Sequence, residues 1–199
     1  MDRQRRLILQ LGASAQLAAM SSVLQATPFA EAATAPAGGG PTAPDHDGRH
    51  DFDFYHGRWQ VKNRRLAKRL VGSDDWIEFD ATDECRPILG GLGSVDRYLT
   101  AWGGGIEGFA LRLYQPATKL WQVYWASDRD GVLEAPLSGG FRDGIGVFHG
   151  LEAHEGRMLP SRATWSEITA DSVRWEQALS ADEGRTWETN WVMWMTRQA

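Results

Sequence analysis

The chain has 199 residues, 21 basic and 26 acidic, with a formal net charge of −5, which is long enough for one ordinary domain and too short for two. An acid excess with no basic stripe argues against nucleic acid and anionic lipid as partners. Cys85 is the only cysteine, so an intrachain disulfide and a thiolate zinc cluster are excluded and stability must come from the core.

The first segment does not read as domain material. A paired Arg5-Arg6 precedes Leu7-Ile8-Leu9, a diluted apolar run follows to Met20, and Ala30-Glu31-Ala32 offers a small-x-small cleavage site. This order resembles a twin-arginine export signal over residues 1–32 and implies a periplasmic protein. The apolar run is too short and too diluted to span a bilayer, so no membrane insertion is expected once the signal is removed. Its removal takes away three Arg and two acids, leaving 18 basic and 24 acidic residues and a net charge of −6. Residues 33–51 read as a flexible linker, beginning with an Ala-, Thr-, Gly- and Pro-rich stretch that cannot bury surface. Asp45 to Asp53 is rich in His and Asp. Its spacing does not continue into a calcium loop, because His56 stands where the closing Glu belongs. We read it as a solvated acidic approach to the domain, with no metal site.

Beyond Phe52 the pattern is strands and turns. Strands are predicted over 58–66, 76–83, 94–101, 106–114, 120–127, 132–136, 140–151, 161–168, 173–179 and 186–196, with Gly, Asp and Pro between them. Short, evenly spaced strands with hairpin-like turns predict an all-β domain at 52–199, an up-and-down antiparallel β-barrel. Eight to ten strands would enclose side chains or one small ligand. Gly57-Arg58-Trp59 at the start and Arg197 at the end resemble the calycin bracket, in which a terminal Arg lies over the first-strand Trp. The fold class is therefore read as lipocalin- or calycin-like.

Strand alternation then assigns faces. Val173, Trp175, Gln177 and Leu179 form one apolar face, with Gln177 its polar member. Trp187, Thr189, Trp191, Met193, Met195 and Arg197 form another. Trp121, Val123 and Trp125 oppose Gln122 and Tyr124. Phe109, Leu111 and Leu113 oppose Ala110, Arg112 and Tyr114, so alternation favours Arg112 as a surface charge over a pocket anchor. His149 shares its phase with Ile145 and Val147, and a His on an apolar face is more often a satisfied core residue than a base. Glu176 is the one acid inside a strongly aromatic strand; facing inward it would be a proton donor, and alternation turns it outward. No Gly-x-Ser-x-Gly, phosphate loop or His-Glu-x-x-His is present.

Trp175-Glu176-Gln177-Ala178-Leu179-Ser180, followed by Asp182-Glu183-Gly184-Arg185-Thr186-Trp187-Glu188-Thr189-Asn190-Trp191, resembles the C-terminal signature of an uncharacterised bacterial family of calycin-like domains. Leu111 to Tyr114, Gly91 to Asp96 and Phe54 to Trp59 are similar to its other blocks, and the resemblance covers Phe52 to Arg197. It implies a lipocalin-like barrel and no settled activity. It marks Asp96, Arg112, Tyr124, Trp125, Glu176, Gln177 and Asn190, with departures at Ser94, where Asn is expected, and Trp194, where an acid is more usual. The leading functional reading is a barrel binding a small apolar or aromatic molecule. Trp125, Trp175 and Trp191 would form its walls, and Arg112, Tyr124, Gln177 and Asn190 its polar contacts. The rival is a cofactor-independent isomerase, lyase or hydrolase using Glu176 or His149 for proton transfer. A third reading is haem ligation through His149, with no cofactor implied otherwise.

Overall fold

A computed structural model describes residues 46–199; the signal-like segment 1–32 and residues 33–45 lie outside the described residues. Two single 3-10 turns, Gly48–His50 and Asp53–Tyr55, lead into ten strands: β1 (Gly57–Leu66), β2 (Trp76–Ile88), β3 (Gly93–Thr100), β4 (Ile106–Gln115), β5 (Leu120–Ser127), β6 (Leu137–Arg142), β7 (Ile145–His154), β8 (Arg157–Ser166), β9 (Ser172–Leu179) and β10 (Glu188–Arg197). Each strand pairs antiparallel with its neighbours in sequence, and β10 returns to β1 to close the barrel. Closure leaves no strand edge among them to recruit a second chain. The lipocalin-like, up-and-down barrel expected from the sequence is the fold.

Local chemistry explains where the strand boundaries differ from expectation. The run expected over 140–151 is cut at Asp143-Gly144, both at positive φ (52° and 77°), the backbone a tight two-residue hairpin requires. Glu155-Gly156 makes the same kind of turn (φ 49° and 75°) and starts β8 earlier than its apolar pattern suggested. Residues 132–136, expected as a strand, form no strand; they belong to the loop from β5 to β6.

Aromatic rings fill the closed end. Arg197 lies 4.2 Å over the Trp59 ring and donates to the carbonyls of Ala170, His56 and Phe54 at 2.7, 2.6 and 2.5 Å. The bracket thus ties β10, β1 and the floor segment together with one side chain. Phe52 sits at the centre of the floor, 1% exposed, its ring 5.0 Å from Trp121 and Phe141, 5.5 Å from Trp165 and 5.6 Å from Phe148. Packing of this kind, edge to face for Trp121, Phe141 and Trp165 and tilted for Phe148, adds to the area each ring buries. Residues 48–51, which composition placed in the linker, are folded against this floor. Trp121 donates its indole N–H to the Gly48 carbonyl at 2.8 Å, and the Gly48 N–H is donated to the Tyr114 hydroxyl at 3.1 Å. A short polar segment becomes ordered here because two buried aromatic residues need hydrogen-bond partners.

Glycines let large rings lie flat against the inner wall. A Cβ on Gly146 would stand 2.6 Å from the Phe141 ring, and one on Gly108 would stand 2.4 Å from the Trp125 ring. Both glycines mark close approach of a neighbouring side chain to backbone.

Candidate functional site

Above the floor the barrel encloses a cavity of about 330 Å³. Its base is charged. Arg112 on β4 is 3% exposed and Asp96 on β3 is 4% exposed, and their Nη1 and Oδ2 atoms are 2.6 Å apart. Asp96 Oδ1 accepts the Ala110 backbone N–H at 2.7 Å. The rings of Tyr55, Phe52 and Trp165 lie 5.0, 5.2 and 5.4 Å from the guanidinium carbon. A planar, weakly hydrated guanidinium tolerates such a setting, whereas an ammonium would not. Burial alone would push the arginine down, but the negative charge of Asp96, with smaller help from Cys85, Tyr55 and Asp83, more than offsets it and keeps Arg112 cationic.

Asp83 on β2 borders the same base. Its Oδ2 accepts the Tyr55 hydroxyl at 2.5 Å, while its buried Oδ1 has no hydrogen-bond partner. Burial, and next the charge of Asp96, push its carboxyl up to about 7. Burial and the charge of Asp83 push Tyr55 well above the ordinary phenol range, so it stays a donor. Cys85 is pushed up to about 11 by burial, which leaves its thiol unreactive.

The walls are aromatic. Trp175 and Trp191 meet edge to face at 5.7 Å, and Tyr98 meets Trp125 at 5.9 Å. The Tyr98 hydroxyl and the Trp191 indole N–H both donate to Asn63 Oδ1 at 3.0 Å, which fixes two rings from one buried amide. Ser161 also borders the cavity, and its buried hydroxyl has no partner. At the mouth, Arg65 stacks over Trp191 at 4.6 Å and over Trp102 at 5.7 Å. Glu152 accepts from Arg69 and from Gln177 Nε2 at 2.5 Å. Among the described residues no group of three or more His, Cys, Asp or Glu side chains is placed to hold a metal ion.

The residues singled out from sequence divide cleanly. Trp125, Trp175, Trp191, Gln177 and Arg112 border the cavity. Arg112 does so against the alternation argument: the inner row of β4 is Gly108, Ala110, Arg112 and Tyr114, and the more apolar Phe109, Leu111 and Leu113 face out. Tyr124 also borders the cavity, though it alternates with the inward Trp125 and pairs with the outer Leu111. Asn190 is fully buried at the bulge between Thr189 and Trp191 and donates weakly to the Glu188 carbonyl at 3.4 Å; it does not border the cavity.

Glu176 and His149 do not border it either. Glu176 lies on the outer face, accepting from Arg174 at 2.8 Å. On β7 the inward row is Gly146, Phe148 and Gly150, so His149 falls outside, with the Trp187 ring 6.0 Å away. Proton transfer or haem ligation inside the barrel would therefore not run through these two side chains. Sequence reasoning missed Asp83, Tyr55, Tyr98, Ser161 and Arg65. The Asp83 strand gives no signal, because Asp80, Glu84 and Asp83 put acids in both of its phases.

Fold and site together define a lipocalin-like barrel with an aromatic-walled, charged-floor cavity. No protein-family model matches the chain, and no curated protein matches it. Among solved structures it is similar to the S-type phycobiliprotein lyase CPES from Guillardia theta, with a TM-score of 0.53 over 77% of this chain and 96% of that one. The two are 11% identical, so the likeness is one of fold.

Proposed function

We propose that the protein is an exported binding barrel for a small apolar or aromatic molecule, held between Trp125, Trp175 and Trp191. The observation that carries this reading is the cavity itself. About 330 Å³ of space within the barrel falls at the small end of the range for ligand pockets, with Asp83, Asp96 and Arg112 gathered at its base. The similar fold of the Guillardia theta phycobiliprotein lyase supports the barrel architecture around that cavity. The signal-like segment supports a periplasmic site of action, and the motif blocks from Phe54 to Trp191 support membership of the calycin-like family they resemble.

Native mass spectrometry of the domain, purified gently from its own periplasm, tests the reading. A bound mass at unit stoichiometry, lost from a Trp175→Ala/Trp191→Ala variant that still unfolds cooperatively, is the expected result. Empty protein that also fails to bind a neutral apolar dye would sink it. Replacing Arg5-Arg6 with two lysines should leave the protein in the cytoplasm; unchanged export would remove the twin-arginine assignment alone.

A further inference from the structure

The base of the cavity holds more acid than base. Asp83 and Asp96 face one guanidinium, that of Arg112, and Asp96 already holds it at 2.6 Å. The other titratable groups around Asp83 are Tyr55 from the floor, Cys85 on its own strand and Tyr98 on β3; burial pushes all three up, so they are neutral near pH 7. From β1, Trp59 pairs with Asp83 in register and carries no charge. Asp83 is thus the acid at the base whose charge no cation of its own balances; the residue borders the cavity, and its buried Oδ1 has no partner.

We propose that the Asp83 carboxylate anchors a protonated nitrogen, so that the ligand is an organic amine whose apolar or aromatic body lies between the tryptophan walls. The assignment rests on the binding-barrel reading and names its ligand class. Charge balance supports it: an ammonium on Asp83 makes the group of two acids and one guanidinium neutral. A ligand carboxylate there would instead meet two like charges and a single guanidinium that already lies 2.6 Å from Asp96. The walls support it as well, because indole faces attract cations, and the Arg65 guanidinium already rests on Trp191 at 4.6 Å. Arg65 does not compete for the base. It stands six residues along β1 from Trp59, the register partner of Asp83, about 20 Å along the strand.

Binding is then linked to the proton on Asp83. In the empty cavity its carboxyl titrates near 7, and a bound ammonium would hold it ionised. Amine affinity should therefore be level above pH 7 and fall about tenfold between pH 8 and pH 6.

The test uses three probes of one shape: 4-phenylbutylamine, 4-phenylbutanol and 4-phenylbutyrate. Each displaces the neutral dye N-phenyl-1-naphthylamine from the mature protein. At pH 8 the amine is expected to bind at least about tenfold more tightly than the alcohol, with the acid weakest. That advantage should shrink at pH 6 and vanish in Asp83→Asn, which should still bind the dye. Equal displacement by all three probes, or preference for the acid, overturns the amine assignment while leaving the binding barrel intact. Failure to bind the dye at all overturns both. If Asp83→Asn does not fold, the wild-type pH series decides alone: an amine affinity that is flat from pH 6 to pH 8 refutes the proposal.

Discussion

Arg112 is almost fully buried, held by one carboxylate and three aromatic rings. Such a pair adds little net stability over an apolar isostere, but removing one partner leaves a buried charge uncompensated. Arg112→Met should cost about 3–5 kcal/mol at pH 8, read by urea unfolding, and less at pH 5, where protonation of Asp83 removes one of the two acids. An unchanged midpoint at pH 8 would show that the site is wetter than its geometry implies. Asp83 carries the opposite sign. Its folded-state carboxyl titrates near 7 against an ordinary 3.8, so between these values the folded state holds a proton the unfolded chain has released. Stability of the empty barrel should fall as pH rises from 4 to 7 and level off above. Asp83→Asn should flatten that slope and be more stable than the parent at pH 8 by a few kcal/mol. Parallel pH profiles for the two proteins would refute the assignment. Asp182 reverses the sense again. Hydrogen bonds from the Thr186 backbone and hydroxyl and from Ser180 hold it down to about 2, so its stabilisation is present above pH 4 and lost as pH falls through 2. Asp182→Ala should melt lower than the parent at pH 7, and the gap should close near pH 2.

At the level of strands, alternation identified some faces and inverted others. On β9 and β10 it succeeded, because Trp175 and Gln177 share their row with Val173 and Leu179, and Met193 and Met195 with Trp191. On β4 it failed for a physical reason. A barrel with a polar cavity does not keep its most apolar row inside, so Phe109, Leu111 and Leu113 read as core while Arg112 is the buried residue. Register settles the matter: Ala110 stands opposite Trp125 and Arg112 opposite Val123, and opposed residues share a face. Pairing partners are long-range information that a single strand does not carry. His149 was misplaced in the same way, because the inner row of β7 is marked by Gly146 and Gly150, whose missing side chains make room for Phe141 and Leu137. The pairings also locate the weakest seam. β5 and β6 share three register pairs against eight between β4 and β5, and the loop joining them brings Glu134 and Ala135 to the cavity. Amide hydrogen exchange should be fastest at this seam among the strands and slow markedly when the cavity is filled. A seam that exchanges as slowly as β9–β10, with or without a bound molecule, would contradict this.

For the molecule as a whole, the Gly57-Arg58-Trp59 and Arg197 bracket made the barrel legible, since Arg197 does lie on Trp59. The plug was not legible. Nothing in the composition of residues 46–56 announces that Phe52 is the hub of the floor, because its neighbours are charged and four of its five ring partners come from β5, β6, β7 and β8. Phe52→Ala should cost about 3–5 kcal/mol and shift the thermal midpoint of the barrel as a single transition, with β5 through β8 affected together. A variant that melts like the parent would mean the floor closes without it.

That floor also decides how the barrel can be held. Trp59 pairs with Arg197 in register, and Phe52 enters from the same side, so both ends of the described chain leave the barrel at its sealed pole. A surface, a fluorophore or a fusion partner attached through Ala199 would hold the protein upright with its opening facing solution, leaving a guest molecule free to come and go.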